Sequence, residues 1–120
     1  MQYLMLLYSN ESGWNQLTPE QQEQGKAAYM AFGEALRKAG VYVGSNRLKP
    51  VSNATTVRIT NGKTQVLDGP YADTKEQFAG YLVVDCETEA RAVDIAARWP
   101  DAKHFAMEVR AVIDEALPES

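Results

Sequence analysis

Histidine and cysteine each occur once, as His104 and Cys86, in a chain of 120 residues. A single cysteine excludes an internal disulfide and suits a reducing compartment, and with one histidine it cannot supply the Cys/His sets that hold zinc. No metal and no cofactor is therefore expected, since a phosphate-cradling glycine-rich loop is missing too. A G-x-S-x-G elbow is also absent, which removes the sequence support for a serine hydrolase. Positive charge is scarce: 12 Lys and Arg stand against 16 Asp and Glu, a net charge of −4, with no basic cluster. Nucleic acid is not an expected partner. No apolar run approaches the roughly 18 residues of a membrane span, so no membrane partner is expected either. The apolar opening, residues 3–8, lacks a basic flank and is too short for a signal core. These absences describe a soluble cytoplasmic domain.

What is present is ordinary globular material. Hydrophobic residues make up 45% and charged residues 23%, enough for one domain spanning 1–120 with a real core. Residues 2–8 are apolar on both parities, as in a strand buried on both faces. Residues 9–17, holding Asn10, Gly13 and Asn15, read as a loop. Thr18-Pro19-Glu20-Gln21 then predicts a helix start, with Thr18 as cap, Pro19 in the first turn and Gln21 closing a capping box. Tyr29, Phe32, Leu36 and Ala39 form its apolar stripe, Gly33 offers close packing on a sheet, and Gly40 ends it.

A short strand is expected within 41–48, before Pro50. Asn61-Gly62 between two β-branched runs predicts a hairpin with a two-residue type I′ turn. That turn pairs Ile59 with Thr64, Val57 with Val66 and Thr55 with Asp68, so Asp68 closes a row on the hairpin's more apolar face. Residues 78–86 read as a second strand buried on both faces. Thr88 caps a helix with an Ala92, Ile95, Ala96, Trp99 stripe, on which Asp94 and Arg98 form a surface pair. The last strand alternates over 105–113, and 114–120 is a tail. The order is βαββαβ with an extra hairpin, an α+β ferredoxin-like arrangement. Two helices cover one face of such a sheet. The double-sided strands then need a second cover, and a second copy of the chain, a homodimer, supplies it most simply.

Asp68-Gly69-Pro70-Tyr71, with Thr74-Lys75-Glu76-Gln77 and Gly80-Tyr81 behind it, resembles the signature of the YCII-related family, in its DGPF-domain branch. Tyr71 stands where that branch usually has Phe. The opening residues 1–8, Thr55-Thr56-Val57-Arg58, the Asn61-Gly62-Lys63 turn and Glu108-Val109-Arg110 match as well, so the resemblance covers nearly the whole chain. It implies a dimeric α/β barrel, two ferredoxin-like sheets packed face to face, and an association with extracytoplasmic-function sigma factors. Some members of the wider family use a His–Asp dyad, and one type eliminates chloride from an aromatic ring. The histidine of that dyad lies early in the chain. Here the single histidine is His104, near the last strand, so the dyad does not carry over.

The candidate residues follow from the stretch 68–81. Asp68 reads either as a turn aspartate accepting backbone hydrogen bonds or as a pocket carboxylate among apolar groups, whose raised proton affinity would suit a base. Asp68 and His104 are the candidate catalytic residues. Asp68, Tyr71, Thr74, Lys75 and Gln77 are the candidate ligand-binding residues, an aromatic, a cation and several donors around one loop. Lys75 and Glu76 read equally as a local ion pair. Two functions of different class stay open. One is a ligand-binding or regulatory module acting with a sigma factor. The other is a cofactor-free enzyme, of lyase or isomerase type, acting on a small aromatic molecule.

Overall fold

The computed structural model describes residues 1–72, 74–103 and 105–114, leaving aside the side chain of Glu11. Six strands and three helices follow one another: β1 (Gln2–Ser9), α1 (Glu11–Asn15), α2 (Pro19–Lys38), β2 (Tyr42–Arg47), β3 (Thr55–Thr60), β4 (Lys63–Asp68), β5 (Gln77–Asp85), α3 (Glu89–Ala97) and β6 (Ala106–Ala111). Four of the strands form an antiparallel sheet in the order β2-β5-β1-β6, with β1 and β5 at its centre. This is the ferredoxin-like order, and β3 and β4 form the extra hairpin between its second and third strands.

Local signals explain most element ends. The Thr18 side chain accepts from the Gln21 amide at 3.1 Å while the Gln21 side chain accepts from the Thr18 amide at 2.9 Å, the reciprocal box that starts α2. Thr18 thereby satisfies an amide that the first helical turn cannot. Gly40, at φ +74°, ends the same helix in a conformation that side-chain-bearing residues resist. Thr88 caps α3 through the Arg91 amide. Asn10 accepts from Ser12 and starts α1, a short helix inside the stretch that sequence reasoning leaves as a loop.

The core lies on one side of the sheet. Tyr3, Met5 and Leu7 of β1 and Leu82 and Val84 of β5 are buried against Leu36 of α2 and Ala92, Ile95, Ala96 and Trp99 of α3 and its end. Tyr29 and Phe32 pack on the Trp99 ring at 5.6 and 5.7 Å between centroids, the α2 stripe meeting the α3 stripe. The opposite face carries no helix. Its rows run Arg110–Leu4–Val83, Glu108–Leu6–Tyr81–Asn46 and Ala106–Tyr8–Phe78 across the strands. A register shift between Leu7 and Tyr8 sets Phe78 opposite Tyr8, and their rings meet at 5.8 Å. Leu4, Leu6, Tyr8, Tyr81 and Val83 are half-buried and Phe78 is exposed, so the described residues leave this face uncovered.

Three expectations change. The last strand is shorter than 105–113, and Ile113 is exposed beyond it. Gly33 does not meet the sheet: a methyl group there would touch the Arg37 guanidinium at 3.6 Å. The hairpin keeps the expected register, Thr55↔Asp68 through Thr60↔Lys63, but its apolar row faces solvent. Val57, Ile59 and Val66 are 61%, 73% and 65% exposed.

Candidate functional site

The loop that follows the hairpin is held by its backbone. Gly69, at φ +99°, donates its amide to the Ala54 carbonyl at 2.8 Å, and the Thr56 hydroxyl donates to the Gly69 carbonyl at 2.8 Å. These two bonds clamp the hairpin's open end, and the positive φ explains the glycine. Asp68 sits beside this clamp, exposed, and its carboxylate makes no hydrogen bond or ion pair among the described residues. The hydrogen-bonding role open to a turn aspartate is thus taken by Thr56 and the Gly69 backbone. Within one chain the apolar neighbours that would mark a pocket carboxylate are exposed as well.

Tyr71 lies over the hairpin. Arg58 donates to its hydroxyl at 3.3 Å, and the guanidinium carbon is 5.0 Å from the ring centre. The Thr74 hydroxyl donates to the Glu76 carbonyl, and the Gln77 amide donates to the carbonyls of Thr74 at 2.8 Å and Lys75 at 3.4 Å. Thr74 and Gln77 therefore shape the loop with the very groups that would contact a ligand. Lys75 forms no ion pair with Glu76 or any other described residue. His104 lies outside the described residues. Asp94 does pair with Arg98, at 3.3 Å, and also with Arg91 at 3.2 Å.

A concave site lies elsewhere. Between the C-terminal half of α2 and the edge strand β2 is a cleft of about 490 Å³, within the usual range for small-molecule sites. Phe32, Leu36, Leu82 and Trp99 give it apolar walls, and none of the described residues within 68–77 lines it. Arg37 stands at its rim with the guanidinium carbon 4.4 Å above the Tyr42 ring. The Tyr42 hydroxyl and Ser45 hydroxyl share a hydrogen bond of 2.8 Å beneath it. A register shift between Tyr42 and Gly44 brings Tyr42 and Ser45 to one face of β2, opposite Val84 and Leu82. Arg37 has no ion pair among the described residues, which leaves its charge available. Glu34 is the carboxylate of the lining.

Sequence reasoning misses this cleft because its walls come from α2, β2, β5 and the end of α3, none carrying a motif. The detectable trace is Arg37, a basic residue in the last turn of α2 that suits the helix C-terminus. A backbone shift of one residue in β2 is not visible in composition or periodicity.

The sheet order and the one-sided helix layer define a ferredoxin-like α/β domain. The chain belongs to the YCII-related domain family, whose model matches residues 1–116. It is 35% identical over 96 residues to "Uncharacterized protein R00369" of Rhizobium meliloti (strain 1021), across 80% of this chain and 77% of that protein. The fold is similar to that of 5-chloro-2-hydroxyhydroquinone dehydrochlorinase (TftG) from Burkholderia phenoliruptrix AC1100, solved in complex with 2,5-dihydroxybenzoquinone. That likeness has a TM-score of 0.56 at 15% identity and covers 97% of both chains.

Proposed function

We propose that this chain is a small-molecule-binding module whose ligand is a flat, largely apolar molecule bearing one anionic group, seated between α2 and β2. The single observation that carries the reading is the cleft itself. Aromatic and aliphatic walls meet one unpaired guanidinium and a hydroxyl pair at the rim. Apolar walls supply affinity, and a few fixed polar groups orient the ligand. A guanidinium braced on an aromatic ring is pre-organised to hold a carboxylate or phenolate through two parallel bonds. A thermal-shift screen of small aromatic acids and phenols tests this, because a ligand binding the native state raises the melting temperature. Arg37→Met should weaken a bound aromatic acid about tenfold or more, the worth of one charge-assisted hydrogen bond. An Arg37→Met protein that binds the same acids equally well rules the cleft out.

A second reading is enzymatic, a cofactor-free lyase or isomerase acting on a small aromatic molecule. It is favoured by Glu34 at the same rim, a carboxylate able to take a phenolic proton. The similarity to a dehydrochlorinase selects the probe: chloride release from chlorinated hydroquinones, lost in Glu34→Gln. A regulatory role beside an extracytoplasmic-function sigma factor is the counterpart reading of the binding module. Its test is co-purification with such a factor, with and without the aromatic acid.

The module acts as a two-fold dimer through the helix-free sheet face. Three cross-strand rows there have apolar centres, Leu4–Val83, Leu6–Tyr81 and Tyr8–Phe78, left uncovered by the described residues. Glu108 and Arg110 flank them on one strand face, neither in an ion pair among the described residues. A two-fold axis can set the glutamate of one copy against the arginine of the other, which removes the cost of burying them unpaired. A monomer mass at micromolar concentration by sedimentation refutes the dimer.

A further inference from the structure

The β3–β4 hairpin is built for a surface that its own chain does not provide. It pairs with neither edge of the main sheet. The chain measures 49 × 48 × 19 Å with a radius of gyration of 16.7 Å, against about 14 Å for a compact domain of this length. A thickness of 19 Å is filled by one sheet layer and one helix layer of roughly 10 Å each. The hairpin therefore runs out alongside the slab, leaving the sheet's free face bare. An isolated two-stranded hairpin is marginal in water, yet this one is firmly rooted through Gly69, Ala54 and Thr56 and braced by Arg58 on Tyr71. Its two faces differ. Val57, Ile59 and Val66 with Thr55 and Thr64 make one face mainly apolar, with Asp68 at its end, while Thr56, Arg58, Thr60, Lys63 and Gln65 make the other mainly polar, with Leu67 as its apolar member.

We infer that the hairpin is an arm that clasps a second copy of this chain, with the Val57–Ile59–Val66 face laid on the partner, and that it carries Asp68 to the joint between the two copies. The inference rests on the dimer proposed above. The occupant follows from area. The free face of four strands, about seven residues long on average, covers roughly 460 Å². A stable pair buries about 800 Å² per partner, so sheet against sheet alone falls short. Each arm face adds roughly 200 Å². In a two-fold pair every copy then covers its sheet face, its own arm and the strip beneath the other arm, roughly 860 Å² in all. The arm thus makes up the deficit, and two apolar surfaces left bare by the described residues of one chain are satisfied together. Asp68, without a hydrogen-bond or ion-pair partner among the described residues, lies on the same face as Val57 and Val66 and so at the clasp.

The test compares the wild type with V57K/I59K by sedimentation velocity over a concentration series. Both side chains are exposed in the single chain, so circular dichroism should show an unchanged fold. The expected result is a dimer weakened tenfold or more. T60K/Q65K, with the same added charge on the opposite face, should leave the dimer within about twofold, well under the roughly 1.4 kcal/mol of a tenfold change. A V57K/I59K dimer as tight as the wild type overturns the clasp, and so does T60K/Q65K weakening it equally. A wild type that is itself monomeric overturns the underlying dimer, which separates the two failures. Should V57K/I59K fold poorly, a photo-crosslinking residue at position 59 replaces it. A product of twice the chain mass supports the clasp, and crosslinks confined to one chain refute it.

Discussion

Replacing Gly80 with alanine tests the joint between β2 and β5 directly. Gly80 is buried and pairs with Arg47 on one side and Leu7 on the other. A methyl group there would lie 2.9 Å from the Asn46 carbonyl oxygen and 3.5 Å from the Arg47 Cα. Both are backbone atoms, so no side chain can rotate away. The edge strand has to retreat by several tenths of an ångström and stretch its ladder bonds. Overpacking of this kind costs about 1–3 kcal/mol. Alanine also narrows the unfolded ensemble, which returns about 0.4–1 kcal/mol. The net loss is then roughly 1–2 kcal/mol, and at this chain length the melting temperature should fall by about 4–8 °C. Gly44→Ala is the matched control on the same strand, because nothing lies within 4 Å of its added methyl. It should melt at or slightly above the wild type. Since β2 carries Tyr42 and Ser45, Gly80→Ala should also loosen ligand binding in the cleft beyond its stability effect. A Gly80→Ala protein melting within about 1 °C of the wild type refutes the close-approach argument.

Two further outcomes are accessible to the same melting assay. Thr18→Ala removes the side-chain half of the capping box and should cost about 1 kcal/mol, lowering the melting temperature by about 4 °C. The Met1 ammonium donates to Asp85 at 2.9 Å, and this bond raises its pKa above the ordinary value of 8.0. A raised pKa means that the contribution is full below the unfolded value and fades as pH climbs through the folded one. Asp85→Asn should accordingly lower the melting temperature near pH 7 and converge with the wild type in alkaline buffer. A gap that stays constant across that window would assign the effect to something other than the ammonium.

Legibility followed the range of the signals. Asn61-Gly62 encodes its turn in two residues, and the hairpin register came out pair for pair. The capping residues of α2 and α3 did the same for the helix starts, and two-sided apolarity set apart the stretches that form β1 and β5, which lie at the sheet's centre. The shifts at Leu7/Tyr8 and Tyr42/Gly44 were invisible, because a bulge depends on what the neighbouring strand requires. One turns Phe78 toward Tyr8 on the free sheet face, and the other places Tyr42 and Ser45 at the cleft. The loop 68–77 drew attention through its polar side chains. Thr74 and Gln77 spend theirs on the loop itself, which composition does not distinguish from binding a ligand.

The division between legible and hidden features also explains why an ordinary composition yields so thin a core. The buried apolar residues all lie between one face of the sheet and its helices. Part of the surplus is set out in two places, the free sheet face and the apolar face of the hairpin. Neither gains from the fold of a single chain, because burial stabilises only where water is removed. Strand-forming sequence without cover is a standing hazard of edge-to-edge association. Here one hairpin face carries Val57, Ile59 and Val66 in register, while Arg58, Lys63 and Gln65 are turned to the opposite side. A surface under selection for solubility alone would mix the two. That bias suits the proposed clasp, with the exposed Asp68 on the face laid against the partner and Arg58, braced on Tyr71, on the face turned away.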